Sequence, residues 1–149
     1  MGGAERAVGR ILQANNKRMR RGAADSQAPN PRDINRFPWA GRLAGSWDDI
    51  RAEWDGFTQA GGQLPHLRDL LDEDQGSDGP WKAGLLISKG KPATRLAERF
   101  PTTVERTLDV PGIWSALWSV LPPGTELPEH QGPNAGVLRF HLGVDCPEH

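Results

Sequence analysis

Ser119 to Val144 reads SVLPPGTELPEHQGPNAGVLRFHLGV, two strand-like pieces separated by proline- and glycine-rich turns. In its last part, VLRFHLGV (137–144), Leu138, Phe140, Leu142 and Val144 fall on one side of an extended chain. Val137, Arg139, His141 and Gly143 fall on the other, which makes Arg139 and His141 neighbours on one face. A guanidinium fork matches a carboxylate, so such a pair would suit a cavity that holds one. A strand with one wet face accounts for the same pattern, and on this strand alone that is the simpler reading. Ahead of it, PPGT (122–125) and QGPNAG (131–136) are turn signals, with His130 and Glu129 between them. A histidine in a loop at a strand end is a common position for a metal ligand, although one histidine is weak evidence. The familiar two-histidine, one-carboxylate iron site often begins His-x-Asp, whereas position 132 is glycine. Glu129 is no substitute, because adjacent residues of an extended chain face opposite ways.

Working outward, IWSALWSVL (113–121) alternates Trp114, Ala116, Trp118 and Val120 against Ser115, Leu117 and Ser119, the pattern of a half-buried strand. WKAGLLI (81–87) is a second strand, with Gly90-Lys91-Pro92 turning the chain after it. The clearest helix carries Trp47, Ile50, Trp54 and Phe57 at three-or-four spacing, with Ser46 as its cap and Gly61 and Gly62 at its end. Leu64–Leu71 adds a helical turn before the polar loop DEDQGSDGP, and a short helix is expected over Ala93–Arg99. Thr102 and Glu105 have capping-box spacing, predicting a helix over Thr103–Leu108 that Val110-Pro111-Gly112 breaks. Helices first and strands last imply an α+β fold. Residues 4–21 could form a further helix, and residues 22–36 read as a linker, so the folded unit is expected over residues 37–149 behind a basic leader and flexible linker over 1–36.

Composition limits the partners. One domain is what 149 residues accommodate, and six tryptophans with four phenylalanines can build a core even at 36% hydrophobic residues and 13 prolines. A net charge of -1 supplies no global field for nucleic acid or an anionic membrane. The Lys17, Arg18, Arg20, Arg21 cluster lacks interleaved aromatics and reads as a solvated leader rather than a nucleic-acid arm. Cys146, the one cysteine, cannot form an internal disulfide or a cysteine metal knuckle, which suits a reducing cytosol. No apolar run has the length of a signal-peptide core or membrane span, so a cytoplasmic protein is expected.

Taken whole, Ser119–Val144 resembles the iron-binding core of the aspartyl/asparaginyl β-hydroxylase family. The family pattern is S-x-x-x-P-G-T-x-x-x-x-H-x-G-P followed by L-R-x-H-L-G, and every defining position is matched. Upstream, FPTTVERTLDVPGIWSALWSVL (100–121) is similar to the family's P-x-T helix and the strand entering the motif, and the Trp47–Phe57 helix has the expected placement. The resemblance implies an iron(II)/2-oxoglutarate dioxygenase that hydroxylates an aspartyl or asparaginyl side chain, a free amino acid or a lipid acyl chain. By matching position it makes His130 the first iron ligand and gives Ser119, Arg139 and His141 to the 2-oxoglutarate co-substrate. It also implies two histidines and no protein carboxylate on the metal, which accommodates Gly132. The fold implied is an incomplete double-stranded β-helix, a cupin-like jelly roll, with N-terminal helices packed on the sheet.

The matching stops at Val144. In the family a second iron-binding histidine and a further arginine lie some tens of residues later, so the expectation is a domain truncated before them and an impaired catalyst. Strands left without neighbours would expose edges and apolar surface, with marginal stability or aggregation to follow. A non-catalytic remnant or interaction module of the same fold is the alternative, and a dimer that completes the sheet ranks below a truncated product.

Overall fold

The computed structural model describes residues 33–70, 80–93, 95–127 and 137–146. The expected helix over 4–21 and most of the leader lie outside them. The chain forms two compact units: Ile34–Glu126 with Leu142–His149, and Met1–Asp33 with Leu127–His141.

The larger unit is α+β. A single 3-10 turn, Ile34–Arg36, leads into helix α1 (Pro38–Ala44), which starts on the proline whose fixed φ suits a first helical position. Helix α2 (Trp47–Gln59) is the one expected from its apolar spacing, with Ile50 and Phe57 buried and Trp54 half-buried. Ser46 occupies its N-cap position but makes no side-chain cap; its hydroxyl instead donates weakly to the Arg42 carbonyl at 3.4 Å. Helix α3 is one turn, Leu67–Leu70. Where a helix over 93–99 was expected, only the 3-10 turn Ala97–Arg99 forms.

Helix α4 (Pro101–Leu108) includes the predicted segment, yet no capping box closes it. The carboxylate of Glu53 on α2 does so from outside, accepting the backbone N–H groups of Thr102 (2.7 Å) and Thr103 (2.8 Å) and the Thr103 hydroxyl (2.7 Å). An anion on the unpaired N–H groups of a first turn satisfies donors and complements the helix dipole together. Burial works to raise the Glu53 carboxyl, but the Thr103 and Thr102 hydrogen bonds outweigh it and hold the group below its ordinary value.

Strands β1 (Lys82–Ser88), β2 (Lys91–Pro92) and β3 (Ser115–Val120) form an antiparallel sheet in the order β2-β1-β3. The hairpin turn is Lys89-Gly90, one step earlier than expected; both residues have positive φ (52° and 73°), the requirement of a type I′ turn, so Lys91 and Pro92 pair back onto Ser88 and Ile87. β1 and β3 pair from Lys82↔Val120 to Ser88↔Ser115 with a bulge between Leu85 and Ile87. Along β3 the burial alternates as expected, with Ala116, Trp118 and Val120 half-buried and Ser115, Leu117 and Ser119 exposed. Trp114, grouped with the inward set, lies before the strand and is 57% exposed.

The core lies between the sheet and the α2–α4 pair. Phe57, Leu64, Leu86, Ile87, Ala97, Phe100 and Val104 are buried, with Trp54, Leu96 and Trp118 packed against them. Four rings interlock there: Trp54–Trp118 centroids are 4.8 Å apart, Phe57–Phe100 5.0 Å and Phe100–Trp118 5.3 Å, tilted geometries that favour aromatic pairs. A Cβ at Gly84 would collide with the ends of the Leu64 and Leu96 side chains, which would have to shift to admit a larger residue on β1.

The described part of the smaller unit is Asp33, Leu127 and residues 137–141. The final strand expected over 137–144 forms no ladder among the described residues. Alternation of side chains is a property of any extended chain, whereas a strand also needs a neighbour for its N–H and C=O groups. No described helix is long and apolar enough to cross a membrane.

Candidate functional site

Ser119, near the end of β3, is exposed and pairs in register with Ala83 of β1, which is itself fully buried. Its hydroxyl oxygen accepts the indole N–H of Trp81 at 2.9 Å. A serine hydroxyl has one donor and two acceptor sites, so this contact fixes the oxygen and leaves the proton for another acceptor. β3 then runs into PPGT, where Thr125 returns both its N–H (3.2 Å) and its hydroxyl (2.7 Å) to the Pro122 carbonyl. Gly124 has φ +75°, the left-handed conformation that follows proline in a type II turn. The motif's first half therefore leaves the sheet in a set direction.

His130 lies outside the described residues. Arg139 and His141 belong to the smaller unit, Ser119 to the larger. Burial alternates from Arg139 onward: Arg139, His141 and Gly143 are exposed, Phe140 and Leu142 intermediate, Val144 buried. That matches the two-sided pattern expected from the sequence over these residues, whereas Leu138, expected on the inward side, is 63% exposed. Neither Arg139 nor His141 has a side-chain hydrogen bond or ion pair to another described residue. A guanidinium two residues from an imidazole, neither paired among the described residues, suits a carboxylate ligand: the guanidinium offers a two-pronged donor and the imidazole N–H a third. The described residues contain no group of three or more His, Cys, Asp or Glu side chains able to hold a metal.

At the motif's last two residues, the chain is tied to α2. The indole N–H of Trp47 donates to the Gly143 carbonyl at 2.8 Å, and Arg51 Nη1 donates to the Val144 carbonyl at 2.8 Å and to Asp145 Oδ1 at 3.2 Å. Asp55 accepts Arg51 Nε through both oxygens (2.9 and 3.0 Å), and this hydrogen bond is the main cause that raises the Arg51 pKa above its ordinary value. Trp47, Arg51 and Asp55 recur every fourth residue along one helix face. The spacing was visible in the sequence, but it marked no site there because the acceptors are main-chain atoms 96 and 93 residues away. Trp81 escaped notice for a similar reason: its partner is Ser119, 38 residues on and across the sheet.

A family model described as Aspartyl/Asparaginyl beta-hydroxylase matches residues 44–149, from the end of α1 through the whole motif. The chain is also similar to a Rhizobium tropici protein, the ornithine lipid ester-linked acyl 2-hydroxylase, with 33% identity over 118 residues. That alignment covers 78% of this chain and 42% of the relative, so the chain spans less than half the length of the curated relative it matches. No solved structure matches it.

Proposed function

The chain belongs to the aspartyl/asparaginyl β-hydroxylase family, and from that premise we propose that it carries the co-substrate half of an iron(II)/2-oxoglutarate-dependent hydroxylase site. The observation that carries this reading is the motif Ser119–Val144, in which Arg139 and His141 stand exposed, alternate and unpaired among the described residues. In this reading residues 37–149 are part of a double-stranded β-helix domain, and β1 to β3 belong to its sheet.

Each residue has a role set by its own chemistry. Arg139 binds a carboxylate of 2-oxoglutarate, since a guanidinium fork meets both oxygens at once. His141 donates a hydrogen bond to the same group. The Ser119 proton, left free by the Trp81 contact, is available to a carboxylate oxygen. His130 is assigned to iron; a neutral imidazole is a suitable ligand for ferrous iron, while the described residues alone offer no complete ligand set. When bound, iron(II) with 2-oxoglutarate supplies the oxidation: dioxygen is consumed, the keto acid becomes succinate and carbon dioxide, and the substrate carbon gains a hydroxyl.

The relative's name supports an acyl chain as the first substrate to test, hydroxylated at carbon 2, with an aspartyl or asparaginyl peptide as the comparison. The test is anaerobic titration of the purified chain with Fe(II) and 2-oxoglutarate, followed by oxygen and either substrate. Binding of 2-oxoglutarate is expected at the anaerobic stage, with any succinate formed on adding oxygen marking residual turnover. A folded chain that binds no 2-oxoglutarate sinks the reading.

A further inference from the structure

A cavity of about 140 Å³, several times the space of one water, is lined by the last turn of α1 and the end of α4. Half-buried Trp39, Leu43 and Val110 form its apolar wall, and Arg42, Arg106 and Asp109 supply its charge. We infer that this cavity binds a carboxylate carried on a short apolar chain, with the guanidiniums of Arg42 and Arg106 on the carboxylate and the chain against the wall. The cavity lies wholly within the larger unit, and the inference does not rest on the co-substrate reading of Arg139 and His141.

Each arginine has a local reason for its place. Arg42 and Arg106 stand in the last turns of their helices, whose carbonyl ends favour cations. That accounts for two charges but not for Arg106 Nε, which is shielded from water and has no hydrogen-bond partner among the described residues. Arg51 shows the contrast, since its Nε is held by both oxygens of Asp55. Buried N–H groups are nearly always paired, so an arginine N–H without a partner on the chain, facing a cavity, points to an acceptor from outside it. No ion pair joins Arg42, Arg106 or Asp109 to another described residue, although all three line the same space. Two guanidiniums with one carboxylate leave a surplus of one positive charge, which a monocarboxylate neutralises and a phosphate dianion overshoots. The guanidinium fork also matches the two oxygens of a carboxylate. Trp39, Leu43 and Val110 then select for apolar surface behind that group.

The test titrates the full-length protein with butyrate and follows the indole N–H signal of Trp39 by NMR, identified by its loss in Trp39→Phe. A saturable shift is expected, with affinity about tenfold above that for acetate, which lacks the two methylenes that the wall covers. Inorganic phosphate is expected to bind more weakly than butyrate. Arg106→Gln should weaken butyrate binding by at least about tenfold, the worth of hydrogen bonds to a charged group. If Arg106→Gln does not fold, Arg42→Gln, at an exposed position, carries the same expectation. Arg139→Ala should leave the titration unchanged; loss of the shift there would place the acid at the motif and overturn the inference. So would a shift that does not saturate, equal affinity for acetate and butyrate, tighter binding of phosphate, or a folded arginine variant that binds butyrate as the unsubstituted chain does.

Discussion

The aromatic core and the motif segment are held by different physics. Around Phe100 and Trp118 four rings interlock, β1 and β3 pair along their whole length, and Phe100 and Ile87 are fully buried. From Val137 to Cys146 most residues are exposed, and among the described residues the donors of Trp47 and Arg51 hold two carbonyls at its end. Burial gains free energy from every neighbour and tolerates little change. Hydrogen bonds at a surface contribute about 1 kcal/mol each but fix direction, the quality that a binding segment needs. The core therefore carries most of the stability, and the two hydrogen bonds fix the course of the chain at Gly143 and Val144.

Substitutions can separate the two regions, and the largest effect belongs to the core. Phe100→Ala should cost about 3–5 kcal/mol in urea unfolding by leaving a cavity among Trp54, Phe57 and Trp118. A loss below about 1 kcal/mol would mean that the ring cluster adds little to stability. Arg139→Ala should do the reverse. Stability should stay within about 0.5 kcal/mol, while 2-oxoglutarate affinity falls by about 1.5–3 kcal/mol, the worth of hydrogen bonds to a charged group. Unchanged affinity would remove Arg139 from the site.

Glu53 tests the same contrast by pH. Its folded pKa is depressed, so its contribution is complete above the unfolded value of 4.5 and is lost as pH falls through the lower folded value. Glu53→Gln should destabilise the chain by about 1 kcal/mol at neutral pH, as loss of a helix cap does, and flatten the acid limb of the stability curve. Urea midpoints between neutral pH and about pH 3 decide it, and parallel acid limbs would overturn the assignment. The smallest effect belongs to the hairpin: Lys89→Gly should leave stability level or raise it by up to about 1 kcal/mol, because φ 52° strains lysine and not glycine. A thermal midpoint well below that of the unsubstituted chain would contradict it.

Much of the fold was legible residue by residue. The helix at Trp47, the strands at Lys82 and Ser115, and the exposed side of β3 all follow from periodicity, which is a steric property of the local chain. Where expectation and structure part, a distant partner decided. Glu53 replaced the capping box at Thr102, and positive φ at Lys89 moved the turn forward. The segment at 137–144 alternates only from Arg139 onward, with Leu138 63% exposed, and gained no ladder among the described residues. The candidate residues Ser119, Arg139 and His141 stood out by motif, while the hydrogen bonds of Trp81, Trp47 and Arg51 to distant partners did not.

From the sequence by itself came the family, the α+β order of elements, and the two-sided motif with its candidate co-substrate residues. Tertiary structure alone decided that α2 caps α4 with Glu53 and grips the end of the motif with Trp47 and Arg51. The reason is chemical: backbone N–H and C=O groups are the same at nearly every residue, so which of them a distant side chain reaches is written only in the folded chain.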